Sequence, residues 1–190
     1  MSMFNKKGSS TGKVIYTMSN VTHSGSFASS TVKITVLNDK GKTTSEAINN
    51  VKCTNGVMMM DMKMFIPAAQ QQQMGNAAAS ASDVYLEYPA SMKEGDALKD
   101  GQFSMDFKME SGINGSVSVS ITNRKVEGKE SVTTPAGTWD CFRITQKTKI
   151  VMKIGIGIPV NMEVTEWYAP GFGIVKTEAK GSKTEITSIR

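Results

Sequence analysis

The fold class follows most directly from the stretch Val57-Met58-Met59-Met60-Asp61-Met62-Lys63-Met64-Phe65. Side chains alternate between the two faces of a β-strand, so residues of the same parity lie together. The even-numbered face holds Met58, Met60, Met62 and Met64. The odd-numbered face holds Met59, Asp61 and Lys63. This alternation predicts a half-buried strand rather than a helix, with the even-numbered methionines facing inward and these odd-numbered residues facing solvent.

A second segment repeats the alternation. One of its faces holds Phe103, Met105, Phe107 and Met109, and the opposite face holds Ser104, Asp106, Lys108 and Glu110. Methionine is unbranched and pliable, which suits both an irregular core and a surface that accepts apolar ligands of varied shape. We therefore take the two methionine-rich faces, four residues from each segment, as the candidate ligand-binding residues. Packing of both faces as an ordinary core is the competing interpretation.

The rest of the chain consists mainly of alternating segments separated by turn signals. Asn55-Gly56 is the strongest short signal for a hairpin. A long segment after Trp139 carries residues of one parity that add to the same apolar face: Phe142, Ile144, Ile150, Met152 and Ile154. Roughly ten to twelve strands result from these patterns, which favours a barrel or a strongly curved sheet. We predict an all-β fold with one short helix, built as a strongly curved antiparallel sheet or an open half-barrel.

One segment interrupts the strands and begins at Pro67. It contains the strong helix formers Ala68-Ala69-Gln70-Gln71-Gln72-Gln73-Met74, and proline suits a first helical turn. We predict a short helix from Pro67 to about Ala79, with a mobile loop as the alternative because 77–82 is rich in alanine and serine. With this insertion at about 67–82, the chain of 190 residues forms a single domain, 1–190.

The net charge of +5 comes from a chain in which only three of the 22 basic residues are arginine. Surfaces that bind nucleic acid usually rely on arginine and exposed aromatic side chains, so we interpret the scattered lysines as a solvated surface. No apolar run approaches the roughly 18 residues of a membrane-spanning helix. The sequence therefore predicts no nucleic-acid partner and no integral membrane span.

The two cysteines, Cys53 and Cys141, do not have the spacing of a metal site, and His23 is the only histidine. A structural zinc site would lack ligands. In an oxidising compartment the two cysteines could pair, and we predict a disulfide if their strands are neighbours in the sheet. In the cytosol they would be two buried thiols. Thioethers favour Cu(I), so copper handling by the methionine-rich strand is an alternative function, although the pattern points to no resident cofactor or metal.

Catalytic patterns are missing from the sequence. His23 lies in a polar turn between Thr22 and Ser24, and the chain has no G-x-S-x-G nucleophile elbow. Gly155-Ile156-Gly157 lies among strands, without the helix that a dinucleotide-binding loop requires. The sequence therefore predicts a protein that is not an enzyme.

Two C-terminal motifs carry a resemblance to a known family. The first is Thr134-Pro135-Ala136-Gly137-Thr138-Trp139-Asp140-Cys141-Phe142, and the second is Trp167-Tyr168-Ala169-Pro170-Gly171-Phe172-Gly173-Ile174-Val175-Lys176. Together with Cys53-Thr54-Asn55-Gly56, they resemble the TapB-like family of periplasmic or surface proteins of Gram-negative bacteria. The resemblance covers most of Gly12–Lys180.

This resemblance implies a curved antiparallel sheet like the open half-barrels of lipoprotein-carrier proteins. It also implies export by a signal peptide to the periplasm or the outer-membrane surface, and no catalytic residues. The first residues, Met1–Gly8, contain no apolar signal-peptide core, so we expect that a leader has been removed.

The expected function is that of an exported envelope protein that binds without catalysis. The expected partner is an apolar, lipid-like ligand on the two methionine-rich faces, or another protein. A structural or adhesive envelope domain without a small ligand is a further alternative, beside copper handling.

Overall fold

The computed structural model describes residues 1–75, 77, 81–109 and 112–190, which form twelve strands and two short helices. The strands are β1 (Ser2–Asn5), β2 (Ser10–Ser24), β3 (Phe27–Asn38), β4 (Thr43–Thr54), β5 (Val57–Asp61), β6 (Tyr85–Pro89), β7 (Gly101–Lys108), β8 (Asn114–Thr134), β9 (Gly137–Ile154), β10 (Ile156–Ala169), β11 (Gly173–Ala179) and β12 (Ser182–Glu185). A 3-10 helix (Met62–Phe65) and the α-helix α1 (Ala68–Met74) lie between β5 and β6.

All twelve strands belong to one antiparallel sheet. Their order is β6-β5-β4-β3-β2-β1-β12-β11-β10-β9-β8-β7, so two meanders join where β1 pairs with β12. The sheet curves into a nearly closed barrel with β6 and β7 at its two edges. The prediction of an all-β, strongly curved antiparallel sheet with one short α-helix is therefore confirmed.

Antiparallel order places successive connections at alternate ends of the barrel. One end carries α1 together with the β1–β2, β3–β4, β7–β8, β9–β10 and β11–β12 connections, and we call it the helix end. The opposite end carries the β2–β3, β4–β5, β8–β9 and β10–β11 turns and the connection from β6 to β7.

The main core lies on the concave face of the sheet. It includes Tyr88, Phe103, Phe142, Ile144 and Tyr168, and it continues under α1, where Ala68 packs against buried residues of β3 and β4. A smaller cluster lies on the opposite, convex face because Cys141 and Trp167 have the other parity from Phe142 and Tyr168.

The methionine-rich strand is shorter than predicted because β5 ends at Asp61 and the next four residues form the 3-10 helix. Met60 and Met62 are buried, and Met58 and Met64 pack against the core, which confirms that the even-numbered methionines face inward. The prediction that Asp61 and Lys63 face solvent is wrong, since they are 0% and 4% exposed. Their burial is compensated because they form an ion pair of 3.2 Å, and Asp61 Oδ1 accepts the Lys63 backbone N–H that begins the 3-10 helix.

The second apolar segment forms β7 as predicted. Phe103 and Phe107 are buried, and Met105 and Met109 pack against the main core. The opposite face is exposed at Ser104, Asp106 and Lys108, whereas Glu110 lies outside the described residues. The ring of Phe107 covers Gly115 of β8 so closely that a Cβ there would lie 2.6 Å from the ring. A larger residue at this position in β8 would force the Phe107 ring to move.

The predicted helix exists but is shorter than Pro67–Ala79. Pro67 precedes its first residue, and Gly75 ends it with a φ of 54°, a conformation that glycine adopts readily. The alternative of a mobile loop concerned 77–82, of which 78–80 lie outside the described residues, as does residue 76. None of the helices in the described ranges has the length and apolarity needed to cross a bilayer.

The proposed pairing of Cys53 with Cys141 is not formed, and both thiols are free. The disulfide was predicted only for neighbouring strands, and β4 and β9, which carry the two cysteines, are not neighbours in the sheet. Burial raises the pKa of the Cys141 thiol to about 11, with the charges of Asp140 and Glu130 adding to the effect. A thiol that stays protonated at neutral pH is a weak nucleophile, so Cys141 is a packing residue.

Candidate functional site

A chain of buried polar side chains crosses the interior of the barrel. Glu166 of β10 accepts hydrogen bonds from Tyr88 Oη (2.8 Å) and from Gln146 Nε2 (2.9 Å). Gln146 Oε1 in turn accepts one from Arg124 Nε (3.2 Å). The guanidinium of Arg124 lies 4.6 Å from the centroid of the Tyr88 ring, and this ring stacks on Tyr168 at 5.0 Å. We call these four residues (Tyr88, Arg124, Gln146 and Glu166) the interior network.

Arg124 also closes the gap between the two edges of the sheet. Its Nη1 donates to the backbone carbonyl of Glu87 in β6 (3.0 Å) and to that of Lys99 just before β7 (2.9 Å). Carbonyls at a sheet edge lack a neighbouring strand, so a buried arginine that supplies donors there replaces part of the missing ladder. The interior network therefore holds the barrel closed.

Electrostatics agree with a structural role for this network. Burial raises the pKa of Glu166, while its hydrogen bond from Tyr88 and the charge of Arg124 oppose the increase. Burial also raises the pKa of Tyr88, and the Glu166 charge adds to this effect. These groups are fully enclosed by the core, so they are positioned to support the fold rather than to reach a substrate.

Replacing Glu166 by glutamine should reveal this raised pKa. A carboxyl group whose pKa is higher in the folded than in the unfolded protein contributes stability below its unfolded pKa and loses it as the pH rises through the folded pKa. The stability of the wild type relative to Glu166→Gln should therefore fall as the pH increases from acid to neutral. Urea unfolding of both proteins across this pH range measures the difference in their free energy of unfolding. Glu163→Gln, a change at an exposed position on β10, serves as the control. A flat difference for Glu166→Gln would contradict the prediction.

A second charged cluster anchors the 3-10 helix. Lys63 Nζ lies 3.2 Å from Asp61 and 2.9 Å from Asp83, and Asp83 also accepts hydrogen bonds from Tyr85 Oη (2.7 Å) and Asn50 Nδ2 (3.1 Å). Burial would raise the pKa of Asp83, but the hydrogen bonds from Lys63, Tyr85 and Asn50 outweigh it and lower the pKa to about 2. Burial raises the pKa of Asp61. The cluster connects the 3-10 helix to the start of β6, which is again a structural role.

The eight candidate ligand-binding residues all belong to the main core or pack against it. They are Met58, Met60, Met62, Met64, Phe103, Met105, Phe107 and Met109. Met58 and Met60 reach the start of β11, where their Cε atoms would lie 3.7 and 3.9 Å from a Cβ on Gly173. The structure therefore brings these side chains together as filling of the barrel, and their contact with a ligand stays a prediction.

On the hairpin of β9 and β10, the concave face extends beyond the part that the core covers. β11 pairs with β10 only from Val164 onward, so Ile156–Glu163 has a free edge. The side chains on its concave face lie opposite one another as Ile150 with Val160, Met152 with Ile158, and Ile154 with Ile156. We call these six residues the hairpin stripe.

Exposure increases along the hairpin stripe as it leaves the barrel. Ile150 is 9% exposed, Ile158 is 71% exposed and Ile156 at the tip is 85% exposed. The total accessible surface of 10694 Å² exceeds the roughly 8,900 Å² expected of a compact chain of this mass. Beside the hairpin, an open groove of about 750 Å³ is lined by Phe107, Gly115 and Lys153, among others. The apolar side chains of the hairpin stripe thus continue from the packed core into solvent.

β2 provides a second open edge. β1 pairs with β2 only as far as Lys13, so Ile15–Ser24 has a neighbour on one side alone. Tyr16 and Met18 continue the concave face and are exposed, as are Ile15 and Val21. The segment from Val14 to Ser24 contains no lysine, arginine, aspartate or glutamate. Exposed edges are usually protected by charge or proline, as β10 is by Pro159, so this uncharged edge is open to pairing.

Comparison with known proteins places the chain in a family. The sequence model described as DUF3108-like matches residues 1–190. The chain belongs to the DUF3108-like family. This assignment rests on the whole chain, whereas the resemblance to the TapB-like family remains a prediction.

Two solved structures share the fold of this DUF3108-like chain. One is a Bacteroides fragilis protein predicted to be exported and described as having a YmcC-like fold, with 21% identity and a TM-score of 0.75. The other is a predicted lipoprotein of Parabacteroides distasonis, with 19% identity and a TM-score of 0.74. Each match covers 100% of this chain and 92% of the other. None of the curated proteins matches the sequence.

Sequence reasoning missed the interior network and only half recognised the hairpin stripe. The parity of Ile150, Met152 and Ile154 was visible in the sequence, and Ile156, Ile158 and Val160 continue it across the turn at Gly155. The interior network could not be seen in the sequence. Its members lie on four strands that are separated in sequence, and the local patterns around them are those of ordinary strand faces. Among the described residues, no group of three or more histidine, cysteine, aspartate or glutamate side chains could hold a metal ion, so copper handling gains no further ligands here.

Proposed function

We propose that this DUF3108-like protein is an exported, non-catalytic binding module of the bacterial envelope that holds an apolar, lipid-like ligand on the hairpin stripe. The observation that carries the proposal is the gradient of exposure from Ile150 to Ile158 along one continuous apolar face. The two solved relatives, described as predicted to be an exported protein and a lipoprotein, support the envelope location.

An acyl chain would gain most from the exposed end of the stripe. Burying an isoleucine side chain that is otherwise in water contributes about 1.5–3 kcal/mol. Ile154, Ile156, Ile158 and Val160 are all exposed, whereas the methionine-rich interior is already packed. In this proposal the ligand contacts begin where the main core ends, and the eight methionine and phenylalanine residues belong to that core or pack against it.

Solution binding of a fluorescent fatty acid tests the proposal. Replacing Ile158 by aspartate should weaken binding about ten- to a hundredfold, because the change removes one apolar contact and brings a charge against the probe. The matched control is Ile48→Asp, a similarly exposed isoleucine on β4 whose neighbours Ala47 and Asn49 are the inward-facing residues. Equal loss in both variants, or no binding by the wild type, would contradict the proposal.

Native mass spectrometry of protein isolated from a bacterial envelope extract gives the complementary result. Co-purified acyl chains, identified by lipid analysis, would support the ligand. Protein that is consistently empty and does not bind the probe would instead favour a second candidate, a protein partner. The uncharged free edge of β2 favours this candidate, because an extended peptide can pair with such an edge through main-chain hydrogen bonds.

A further inference from the structure

We propose that the helix end of the barrel docks on an anionic bilayer surface, with the tip of the β9–β10 hairpin inserted among the lipid headgroups. This inference deepens the proposed function and rests on it, because docking would let an apolar ligand enter the hairpin stripe from the bilayer itself. The docking has its own evidence in the distribution of charge and apolar surface.

The turns at the helix end are strongly basic. Three of them, residues 6–9, 39–42 and 180–181, carry five exposed lysines and a single acid: Lys6, Lys7, Lys40, Lys42, Lys180 and Asp39. The four hairpin turns at the opposite end, residues 25–26, 55–56, 135–136 and 170–172, carry no charged residue. The connection from β6 to β7 at that end has both signs of charge, with Lys93, Glu94, Asp96, Lys99 and Asp100. Among these described turns, positive charge is therefore in excess at the helix end, and the sequence between β7 and β8 at that same end also contains Glu110.

The hairpin at this basic end combines lysines with the most exposed isoleucine of the protein. Lys147, Lys149 and Lys153 lie on its convex face, are exposed, and form no ion pair within the described ranges. The nearest acid on the hairpin is Glu163, which lies opposite Lys147 in the register. From Cys141 to Met162 the sequence has four basic residues and no acidic one.

The tip itself has the geometry of an inserting element. Ile156 follows Gly155, whose φ of 77° makes the tight turn, and its side chain is 85% exposed. Lysines that flank an apolar tip place their charges at headgroup level while the apolar side chains enter the boundary of the acyl region. The attraction of several lysines to anionic lipid and the insertion of the tip then act together. This complementarity of charge makes an anionic bilayer, rather than a neutral surface, the partner.

Flotation with lipid vesicles tests the docking. The intact protein should bind phosphatidylcholine vesicles containing about 30 mol% phosphatidylglycerol at least about tenfold more tightly than vesicles of phosphatidylcholine alone. Binding should decline at about 0.5 M salt, because the lysines are exposed and screened by ions. Ile156→Asp and the double variant Lys149→Gln with Lys153→Gln should each reduce binding about tenfold.

Two matched variants control for general effects of charge and exposure. Ile48→Asp changes an exposed isoleucine away from the hairpin, and Lys93→Gln removes an exposed lysine at the opposite end of the barrel. Both should bind the anionic vesicles as the wild type does, and circular dichroism verifies that every variant is folded. Equal binding to neutral and anionic vesicles, or losses in the controls as large as in the hairpin variants, would overturn the docking.

The vesicle and fatty-acid experiments separate the two proposals. Protein that binds the fluorescent fatty acid in solution but ignores anionic vesicles refutes the docking and leaves the proposed ligand intact. Protein that binds anionic vesicles through Ile156 and the hairpin lysines, yet never holds a fatty acid, supports the docking and contradicts the ligand.

Discussion

Replacing Arg124 by methionine should lower the free energy of unfolding by about 3–5 kcal/mol. The arginine is fully buried and donates to Gln146 and to the carbonyls of Glu87 and Lys99. Methionine would fill similar space but leave these acceptors without a donor. It would also leave Glu166 in the core without the positive charge that favours its ionised form. Because the lost contacts join β8 to both edges of the sheet, the closure of the barrel should weaken.

Arg143 offers a matched control for this substitution. It belongs to the neighbouring strand β9, but its side chain is 43% exposed and forms an ion pair of 3.5 Å with Glu130. Exposed ion pairs contribute about 0–1 kcal/mol, so Arg143→Met should change stability little. Urea unfolding followed by circular dichroism measures both variants. A loss below about 1 kcal/mol for Arg124→Met would mean that the interior network does not hold the barrel closed.

Truncation of the inward-facing side chains should have an effect of similar size. Met62→Ala and Phe107→Ala should each lower the free energy of unfolding by about 2–5 kcal/mol, because each removes buried apolar atoms and leaves a cavity. Met62 is completely buried, and Phe107 covers Gly115 on the neighbouring strand. The loss at Phe107 should therefore also expose the backbone of β8.

The exposed methionine of β2 supplies the comparison. Met18 continues the concave face but lies on its open part, so Met18→Ala should change stability by less than about 0.5 kcal/mol. Chemical denaturation of the three variants under identical conditions gives the differences. If Met18→Ala were as costly as Met62→Ala, the concave face at β2 would be covered rather than open.

Much of the fold could be predicted because alternation is a local property of the chain. Period-two patterns at 57–61 and 101–108 indicated two strands and the face that each one buries. The pattern failed at Asp61 and Lys63, since their charges predicted exposure. Their burial depends on Asp83, which lies some twenty residues away in sequence, and no local pattern shows that an oppositely charged partner will arrive there.

The interior network shows the same limit for long-range contacts. Tyr88 and Glu166 are 78 residues apart in sequence, and their hydrogen bond exists only because the two meanders curve toward each other. The missing disulfide has an equivalent cause. Strand order decides whether two cysteines meet. Cys53 is on β4 and Cys141 is on β9, and these are the first and last strands of a run of eight neighbouring strands in the sheet.

The hairpin stripe shows most clearly what the sequence pattern determines and what only the tertiary structure determines. Alternation in the sequence was sufficient to put Ile150 and Ile158 on the same face of one hairpin, and turn residues were sufficient to make the chain an antiparallel β-protein. Side-chain chemistry cannot distinguish these two isoleucines, yet one is buried and the other is exposed. The difference arises because β11 pairs with β10 only from Val164 onward, and on this hairpin the main core reaches only as far as Ile150, Met152 and Met162. Burial is a property of what surrounds a side chain, so the tertiary arrangement of the strands, and not the local pattern, left this surface exposed.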